Sequence, residues 1–117
     1  MFVKYTALGS SQIQLNCASA SLPNILNSSG LITVNRNIAN QLKVYQNGIA
    51  ISTIISLETG FSTVPLYIFA DNNNGTAQYF SNRQLAFIYI SSGLTDTNSL
   101  NLYTAVQAFQ TTLGRQV

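Results

Sequence analysis

The feature that most constrains the fold is an apolar side chain at every second position, which recurs over much of the chain. From Gln12 to Ala18 the alternation is strict, with Ile13, Leu15 and Cys17 on one side. Successive side chains of a β-strand point to opposite faces, so this period is typical of half-buried strands. The pattern predicts five such strands, at Phe2–Ala7, Gln12–Ala18, Leu31–Asn35, Gln41–Gln46 and Ile49–Ile54.

The last two of these strands are separated by the dipeptide Asn47–Gly48. Both residue types tolerate a positive φ, which a type I′ turn requires at its two central positions. An Asn-Gly pair between two alternating segments therefore predicts a tight β-hairpin at this point.

Two further segments, Val64–Ala70 and Leu85–Ser91, are almost unbroken apolar runs. Such runs are typical of central strands that are covered on both faces. The Asn-rich segment Asp71–Thr76 between them predicts an exposed loop. Seven strands without strand-helix alternation predict an all-β fold, an antiparallel β-sandwich over residues 1–92 of a single domain of 117 residues.

The period changes at the end of the chain, where the sequence predicts one α-helix at Asp96–Leu113. The apolar residues there are spaced by three or four positions and are Leu100, Tyr103, Val106, Phe109 and Leu113. Thr95 is the expected N-cap, and Gly114 stands where a helix commonly ends. We expect the apolar stripe to pack on the sheets or on a neighbouring domain; the alternative is an interface between copies.

Composition excludes most active sites. The chain has no histidine, so it lacks an imidazole base and histidine metal ligands, and its single cysteine, Cys17, cannot form a thiolate zinc site alone. The three carboxylates, Glu58, Asp71 and Asp96, include no acid–base pair at short spacing. The sequence therefore predicts a protein that is not an enzyme, with no catalytic residue, metal site or cofactor.

Charge is sparse as well. Charged residues make up 7% of the chain and the net charge is +2, with the five basic residues spread along the whole length. This distribution does not favour nucleic acid, which needs a basic patch. No apolar run approaches the roughly 18 residues of a membrane span. Asn, Ser, Thr and Gln give the chain a polar surface of neutral amides and hydroxyls instead.

A candidate carbohydrate site follows from the loop and the residues after it. Asp71 and Asn73 offer oxygen and amide groups, while Tyr79 and Arg83, with Phe80 between them, offer an aromatic and guanidinium platform for a sugar ring. The alternatives are a solvated turn whose aromatic residues fold back over the sheet, and a calcium site. Calcium is disfavoured because the loop holds one carboxylate.

Three parts of the sequence resemble concanavalin A-like lectin and laminin G-like domains. Leu42–Gly48 is similar to their strand-turn signature, in which a tyrosine leads into Asn-Gly. Leu66–Ala70, Leu85–Ile90 and Gly93–Thr95 resemble their closing strands and the entry into their terminal helix. Leu102–Arg115 resembles the C-terminal end of the versions in bacteriophage virion proteins and related bacterial surface proteins.

The resemblance implies a non-enzymatic structural virion protein, namely a capsid decoration, fibre or tail component located in the virion. Its partners would be other virion proteins or copies of itself, with a trimer as the first expectation and glycans as a further candidate. The alternative is a carbohydrate-binding module of an extracellular or cell-surface bacterial protein. A third interpretation is a glycan-cleaving enzyme whose active residues lie in a missing N-terminal half.

The same family also suggests that the chain is part of something larger. Its domains commonly need about 150 to 200 residues, so we expect either a reduced sandwich or, preferably, the C-terminal part of a longer polypeptide. Unpaired sheet edges are usually protected by lysine, proline or bulges, and few such residues lie in the predicted strands. We therefore expect these edges to require a partner.

Overall fold

The computed structural model describes the backbone of residues 2–5, 10–14 and 20–23, and describes residues 29–57, 60, 63–82 and 84–115 with their side chains. In these parts the fold consists of small antiparallel sheets and one C-terminal helix. The expected predominance of antiparallel strands, followed by a single helix, is confirmed.

The first sheet has the order β1 (Phe2–Tyr5), β2 (Ser10–Gln14) and β3 (Ala20–Pro23), with antiparallel pairing throughout. The sequence analysis predicts β1 and part of β2 but not β3. The rest of the predicted second strand, including Leu15 and Cys17, lies outside the described residues.

The second sheet has the order β4 (Ile32–Asn35), β5 (Gln41–Gln46) and β6 (Ile49–Ile55), close to the predicted bounds. Asn47 (φ 53°) and Gly48 (φ 77°) form the two-residue connection between β5 and β6. The predicted hairpin is therefore confirmed. Both residues have the positive φ that a type I′ turn demands.

The buried core lies on β5. Leu42 and Val44 are fully buried, and Tyr45 is 1% exposed. Val44 faces Ser52 while Tyr45 faces Ala50, so Ile51 is one extra residue in β6 and forms a β-bulge. Because adjacent side chains of a strand point to opposite faces, the burial of both Val44 and Tyr45 shows that β5 is covered on both sides there.

The prediction of central strands at Val64–Ala70 and Leu85–Ser91 is wrong. Both segments are irregular, and Ile90 is 71% exposed. In the first segment, Phe69 has a φ of 63°, which interrupts the extended backbone that a strand needs. A short apolar run without a period does not by itself specify a β-strand. The apolar composition of Leu85–Ser91 is therefore consistent with the irregular backbone that is observed.

Asp71–Thr76 was predicted to be an exposed loop; residues 73–76 are exposed, but the segment belongs to a third, two-stranded sheet and is not a loop. β7 (Asp71–Asn73) pairs with β8 (Thr76–Gln78) around Asn74–Gly75. These two residues have φ values of 51° and 92°. The physical reason is the same Asn-Gly turn chemistry that forms the hairpin between β5 and β6.

Helix α1 (Asp96–Thr112) has the predicted N-cap, since Thr95 Oγ1 accepts a hydrogen bond from the Asn98 backbone N–H at 3.2 Å. Leu113 is the C-cap, and Gly114 follows it with a φ of 65°. Arg115 N–H donates to the carbonyl of Gln110, and Gly114 N–H donates to that of Thr111. These two bonds form a Schellman motif, which satisfies carbonyls that the helix leaves unpaired.

The face of α1 that is buried differs from the predicted stripe. Val106 is buried as expected and Tyr103 is half-buried, but Leu100, Phe109 and Leu113 are exposed. Ser99 and Gln110 are buried instead. The helix is thus rotated toward a partly polar face, because its first turn is held by polar contacts to the sheet that are described below. Within the described residues, no helix is long and apolar enough to cross a membrane.

Candidate functional site

A groove of about 590 Å³ lies along β4. One wall is formed by every residue from Leu31 to Arg36, and the opposite walls are formed by the irregular segments 66–70 and 85–94. If one face of β4 lined the groove, only every second residue of the strand would line it, because successive side chains point to opposite faces. Every residue from Leu31 to Arg36 lines the groove instead, so the edge of the strand opens into it.

The backbone of this edge is available for hydrogen bonding. Asn47 N–H donates to the carbonyl of Leu31, so the alternation of an antiparallel ladder turns the N–H and C=O groups of Ile32 and Val34 away from β5. In the described part of the chain, no backbone group bonds to them. Unpaired groups of this kind are a template for another strand.

One end of the groove is closed by Asn35, which is 5% exposed. Its side-chain amide donates to the carbonyl of Leu94, and its Oδ1 accepts from the Leu94 backbone N–H at 2.8 Å. The Asn35 side chain thus pairs with both the N–H and the carbonyl of Leu94, just before α1, as the backbone of a neighbouring strand would. Gly93 lies so close that a β-carbon there would be 2.7 Å from the Arg36 carbonyl oxygen.

The walls of the groove are largely apolar and partly exposed. Leu66, Ile68 and Phe69 on one side are 44–51% exposed, and Leu85 and Ile88 on the other are 50% and 46% exposed. Arg36 is the one charged residue among those that line the groove, and its Nη1 donates to the Ser56 carbonyl at 3.0 Å. A ligand of this groove would therefore meet apolar side chains and free backbone groups.

Three of the four residues predicted to bind carbohydrate lie on or beside the hairpin of β7 and β8. Asp71 faces Gln78 in the register, and Tyr79 follows Gln78 directly, so the structure brings Asp71 and Tyr79 to the same end of the hairpin. Asn73 lies at the other end, beside the turn. Arg83 lies outside the described residues.

A second polar cluster joins the sheet to the start of α1. Lys43 Nζ lies 2.6 Å and 2.7 Å from the two carboxylate oxygens of Asp96, and the Tyr45 hydroxyl donates to Asp96 Oδ1 at 2.8 Å. The hydrogen bonds from Lys43 and Tyr45 lower the pKa of Asp96, while the bond to Asp96 raises the pKa of Lys43. Both shifts favour the charged forms at neutral pH, so the cluster is suited to holding the helix on the sheet.

The turn between β5 and β6 is a further point of contact with α1. A β-carbon at Gly48 would lie 2.9 Å from the α-carbon of Leu100 and 3.0 Å from the β-carbon of Tyr103. The helix backbone therefore approaches the turn as closely as a glycine permits. Toward the other end of α1, Gln110 Nε2 donates to the Ala86 carbonyl at 3.4 Å, which links the helix to a wall of the groove.

Sequence reasoning missed the groove and the contacts of Asn35 and Gln110. The one signal for Asn35 was its place as a polar residue at the end of an alternating strand. Its partner, Leu94, lies 59 positions away in the sequence, so no local pattern pairs the two residues. Among the described residues, no group of three or more histidine, cysteine, aspartate or glutamate side chains could hold a metal ion. No protein-family model, curated protein or solved structure matches this chain.

Proposed function

We propose that this protein is a non-enzymatic structural component that assembles with further copies of itself through the β4 edge. The observation that carries the proposal is the groove, in which outward-facing backbone groups of Ile32 and Val34 lie between apolar walls. An incoming extended segment would gain a ladder of hydrogen bonds and would cover apolar surface at the same time.

A second copy is the occupant that the charges favour. The net charge of +2 gives little repulsion between copies, and Arg36, the one charged residue among those that line the groove, donates to the Ser56 backbone carbonyl. Each copy also exposes large apolar side chains outside its own groove. The two halves of such a contact differ, so it is heterologous, and a heterologous contact forms a ring when the rotation between copies closes. A trimer is the ring that the sequence resemblance implies.

We further propose that the sheets belong to a sandwich of the concanavalin A-like or laminin G-like kind, and that the assembly is part of a bacteriophage virion. The support for this is the order of elements, with antiparallel strands followed by one terminal helix, together with the three resembling parts of the sequence. The sparse charge also suits a protein that works within an assembly.

Sedimentation of the full chain over a range of micromolar concentrations tests the assembly. We expect an oligomer that Ile68→Lys weakens, since Ile68 lines the groove, and that Ile55→Lys leaves intact, since Ile55 is 75% exposed and does not line it. Ile32→Pro should weaken it too, because proline removes an outward N–H that the sheet does not use. A wild-type monomer, or equal loss in both lysine variants, would contradict the proposal.

The virion assignment has its own test in the genes that flank the coding sequence. Capsid and tail genes on either side are the expected result. A neighbourhood without them would contradict a virion component while leaving the proposed self-assembly open to the sedimentation experiment.

A further inference from the structure

The chain contains two asparagines that are followed by glycine, and both stand in hairpin turns. Asn47–Gly48 joins β5 to β6, and Asn74–Gly75 joins β7 to β8, with positive φ at all four residues. An asparagine before glycine is chemically labile, because the next backbone nitrogen can attack the side-chain amide and glycine has no β-carbon to obstruct it. The local chemistry of the two turns is the same, so a difference in reactivity between them comes from the surrounding fold.

The side chain of Asn47 is held in place. Its Oδ1 accepts a hydrogen bond of 3.0 Å from the Leu31 backbone N–H, and the Asn47 backbone N–H donates to the Leu31 carbonyl at 2.9 Å. Gly30 lies so close to this amide that a β-carbon there would not fit. Asn47 and Gly48 are half-buried, and α1 approaches the turn at Gly48. The amide of Asn47 can therefore turn toward the Gly48 nitrogen only when several contacts break together.

The side chain of Asn74 has more freedom. Asn74 and Gly75 are exposed, and no group in the described part of the chain forms a hydrogen bond with the Asn74 side chain. A β-carbon at Gly75 would have nothing within 4 Å. Strands β7 and β8 have three residues each, so this hairpin is a small unit at the surface, and such units open most easily. Opening allows the Asn74 amide to reach the Gly75 nitrogen.

Hydrogen bonds to Asn72 and Tyr67 restrain the turn at Asn74–Gly75. The Gly75 backbone N–H donates to Asn72 Oδ1 at 2.7 Å, and the Tyr67 hydroxyl donates to the Gly75 carbonyl at 3.2 Å. The first bond matters to the chemistry, because the Gly75 nitrogen must lose this proton before it attacks, and a neutral amide oxygen does not take the proton away. Asn72 therefore slows the reaction without preventing it.

We propose that Asn74 is a site of spontaneous deamidation and that the fold protects Asn47 from the same reaction. The Gly75 nitrogen loses its proton to the solvent and forms a bond to Asn74 Cγ. The bond from Cγ to Nδ2 breaks, and Nδ2 leaves as ammonia with a proton from the solvent. The resulting succinimide ring takes up one water. Opening at the side-chain carbonyl gives aspartate, and opening at the backbone carbonyl gives isoaspartate, in which the main chain runs through Cβ and Cγ.

Both products add a negative charge at the tip of the hairpin. Isoaspartate also lengthens the main chain by one atom, which a two-residue turn with fixed φ values does not accommodate. We therefore expect isoaspartate to disrupt the pairing of β7 with β8 and the bond between Tyr67 and Gly75, and Tyr67 also lines the groove. The reaction itself does not rest on the assembly proposed above, because it requires one chain and water.

Mass spectrometry of the full chain during storage in a mildly alkaline buffer tests the proposal. We expect a gain of about 1 Da that fragment ions locate at Asn74, and isoaspartate that is detected by enzymatic methylation. Asn47 should react at least about tenfold more slowly, since its bonds to Leu31 must break first. Asn98, which is exposed but followed by serine, is the control in the same chain. No gain at Asn74, or equal rates at Asn74 and Asn47, would overturn the proposal.

The same measurement in urea separates the effect of the fold from that of the local sequence. In the unfolded chain Asn47 and Asn74 should deamidate at similar rates, because glycine follows both. A tenfold difference that persists in urea would contradict a structural cause.

A variant of Asn72 tests its part in the reaction. Asn72→Ala removes the acceptor of the Gly75 N–H and should speed deamidation of Asn74 about fivefold in the folded chain. Asn73→Ala is the matched control, because the bond from Asn73 to Gln78 is long, at 3.4 Å. The rate at Asn47 shows in each variant whether the whole fold has loosened. An unchanged rate at Asn74 in Asn72→Ala, or an equal increase in Asn73→Ala, would contradict the role of Asn72.

Discussion

The hydroxyl of Tyr45, a side chain buried in the sheet, donates a hydrogen bond of 2.8 Å to the carboxylate of Asp96 in the first turn of α1. The same carboxylate accepts from Lys43, and the Lys43 ammonium also lies 5.8 Å from the centre of the Tyr45 ring. One aspartate near the positive end of the helix dipole thus joins helix and sheet.

Removal of that hydroxyl should loosen the helix without disturbing the core. Tyr45→Phe keeps the buried ring and is expected to lower the free energy of unfolding by about 1 kcal/mol, the usual net value of one hydrogen bond. Urea denaturation measures this. Tyr103→Phe is the control, because the Tyr103 hydroxyl has no hydrogen bond within the described part of the chain. Equal effects of the two substitutions would contradict the role given to Tyr45.

The ion pair between Lys43 and Asp96 predicts that the fold loses stability at both low and high pH. The pKa of Asp96 lies below its ordinary value of 3.8, so the pair stabilises the fold above that value and loses its effect as pH falls through the lowered pKa. The pKa of Lys43 lies above 10.5, so the effect is present below that value and disappears as pH rises through the raised pKa.

Thermal denaturation of wild type and Asp96→Asn, compared from acid to alkaline pH, checks this prediction. The difference in Tm should be largest between about pH 5 and pH 9 and should shrink toward both extremes. High salt should also reduce it at neutral pH, since both side chains are partly exposed. A difference that is constant over the whole range would show that the charges of the pair do not contribute.

Substitutions at Gly48 and Gly75, which lie in equivalent Asn-Gly turns, distinguish the cost of backbone strain from the cost of a clash with α1. Gly48→Ala and Gly75→Ala both place a β-carbon at a positive φ, which costs about 1–2 kcal/mol. Only at Gly48 does the new atom also meet α1, at 2.9 Å from the α-carbon of Leu100; at Gly75 nothing lies within 4 Å. We therefore expect Gly48→Ala to cost clearly more in urea denaturation. An equal decrease in the free energy of unfolding for both variants would mean that α1 is not in close contact with the turn.

The two hydrogen bonds between Asn35 and Leu94 should stabilise the fold more than an ordinary surface contact does. Asn35→Ala leaves the Leu94 backbone N–H and carbonyl without their partner in a partly buried place, at an expected cost of about 2–3 kcal/mol. Hydrogen exchange should show the loss most sharply as faster exchange of the Leu94 amide. Asn37→Ala is the control at an exposed asparagine two positions on. An unchanged exchange rate at Leu94 would contradict the pairing.

The sequence predicts those parts of the fold in which local chemistry decides the outcome. The β5–β6 hairpin follows from alternation around Asn47–Gly48, and α1 follows from its period and its caps. The second hairpin carried the same signal at Asn74–Gly75, but its strands are polar and short, so no alternation marked them.

Other features depend on neighbours that are distant in the chain. The burial of Ser99 and Gln110 in place of Leu100 and Phe109 follows from how the helix is held, and no local pattern contains that information. The candidate site shows the same division. Asp71, Asn73 and Tyr79 were chosen for their chemistry, but their placement on or beside one hairpin arises from a strand pairing that was not predicted.

The tie between Asn35 and Leu94 also bears on the order in which the protein folds. The hydrogen bonds that dock the start of α1 join residues separated by 51 to 59 positions, whereas the β5–β6 hairpin closes over two residues. Closing a long loop costs more entropy than closing a short one, and distant contacts slow folding. The hairpin is thus expected to form early, and helix docking to be the late step. During synthesis, the buried residues of β5 would lack the part of their cover that α1 provides until this helix has left the ribosome.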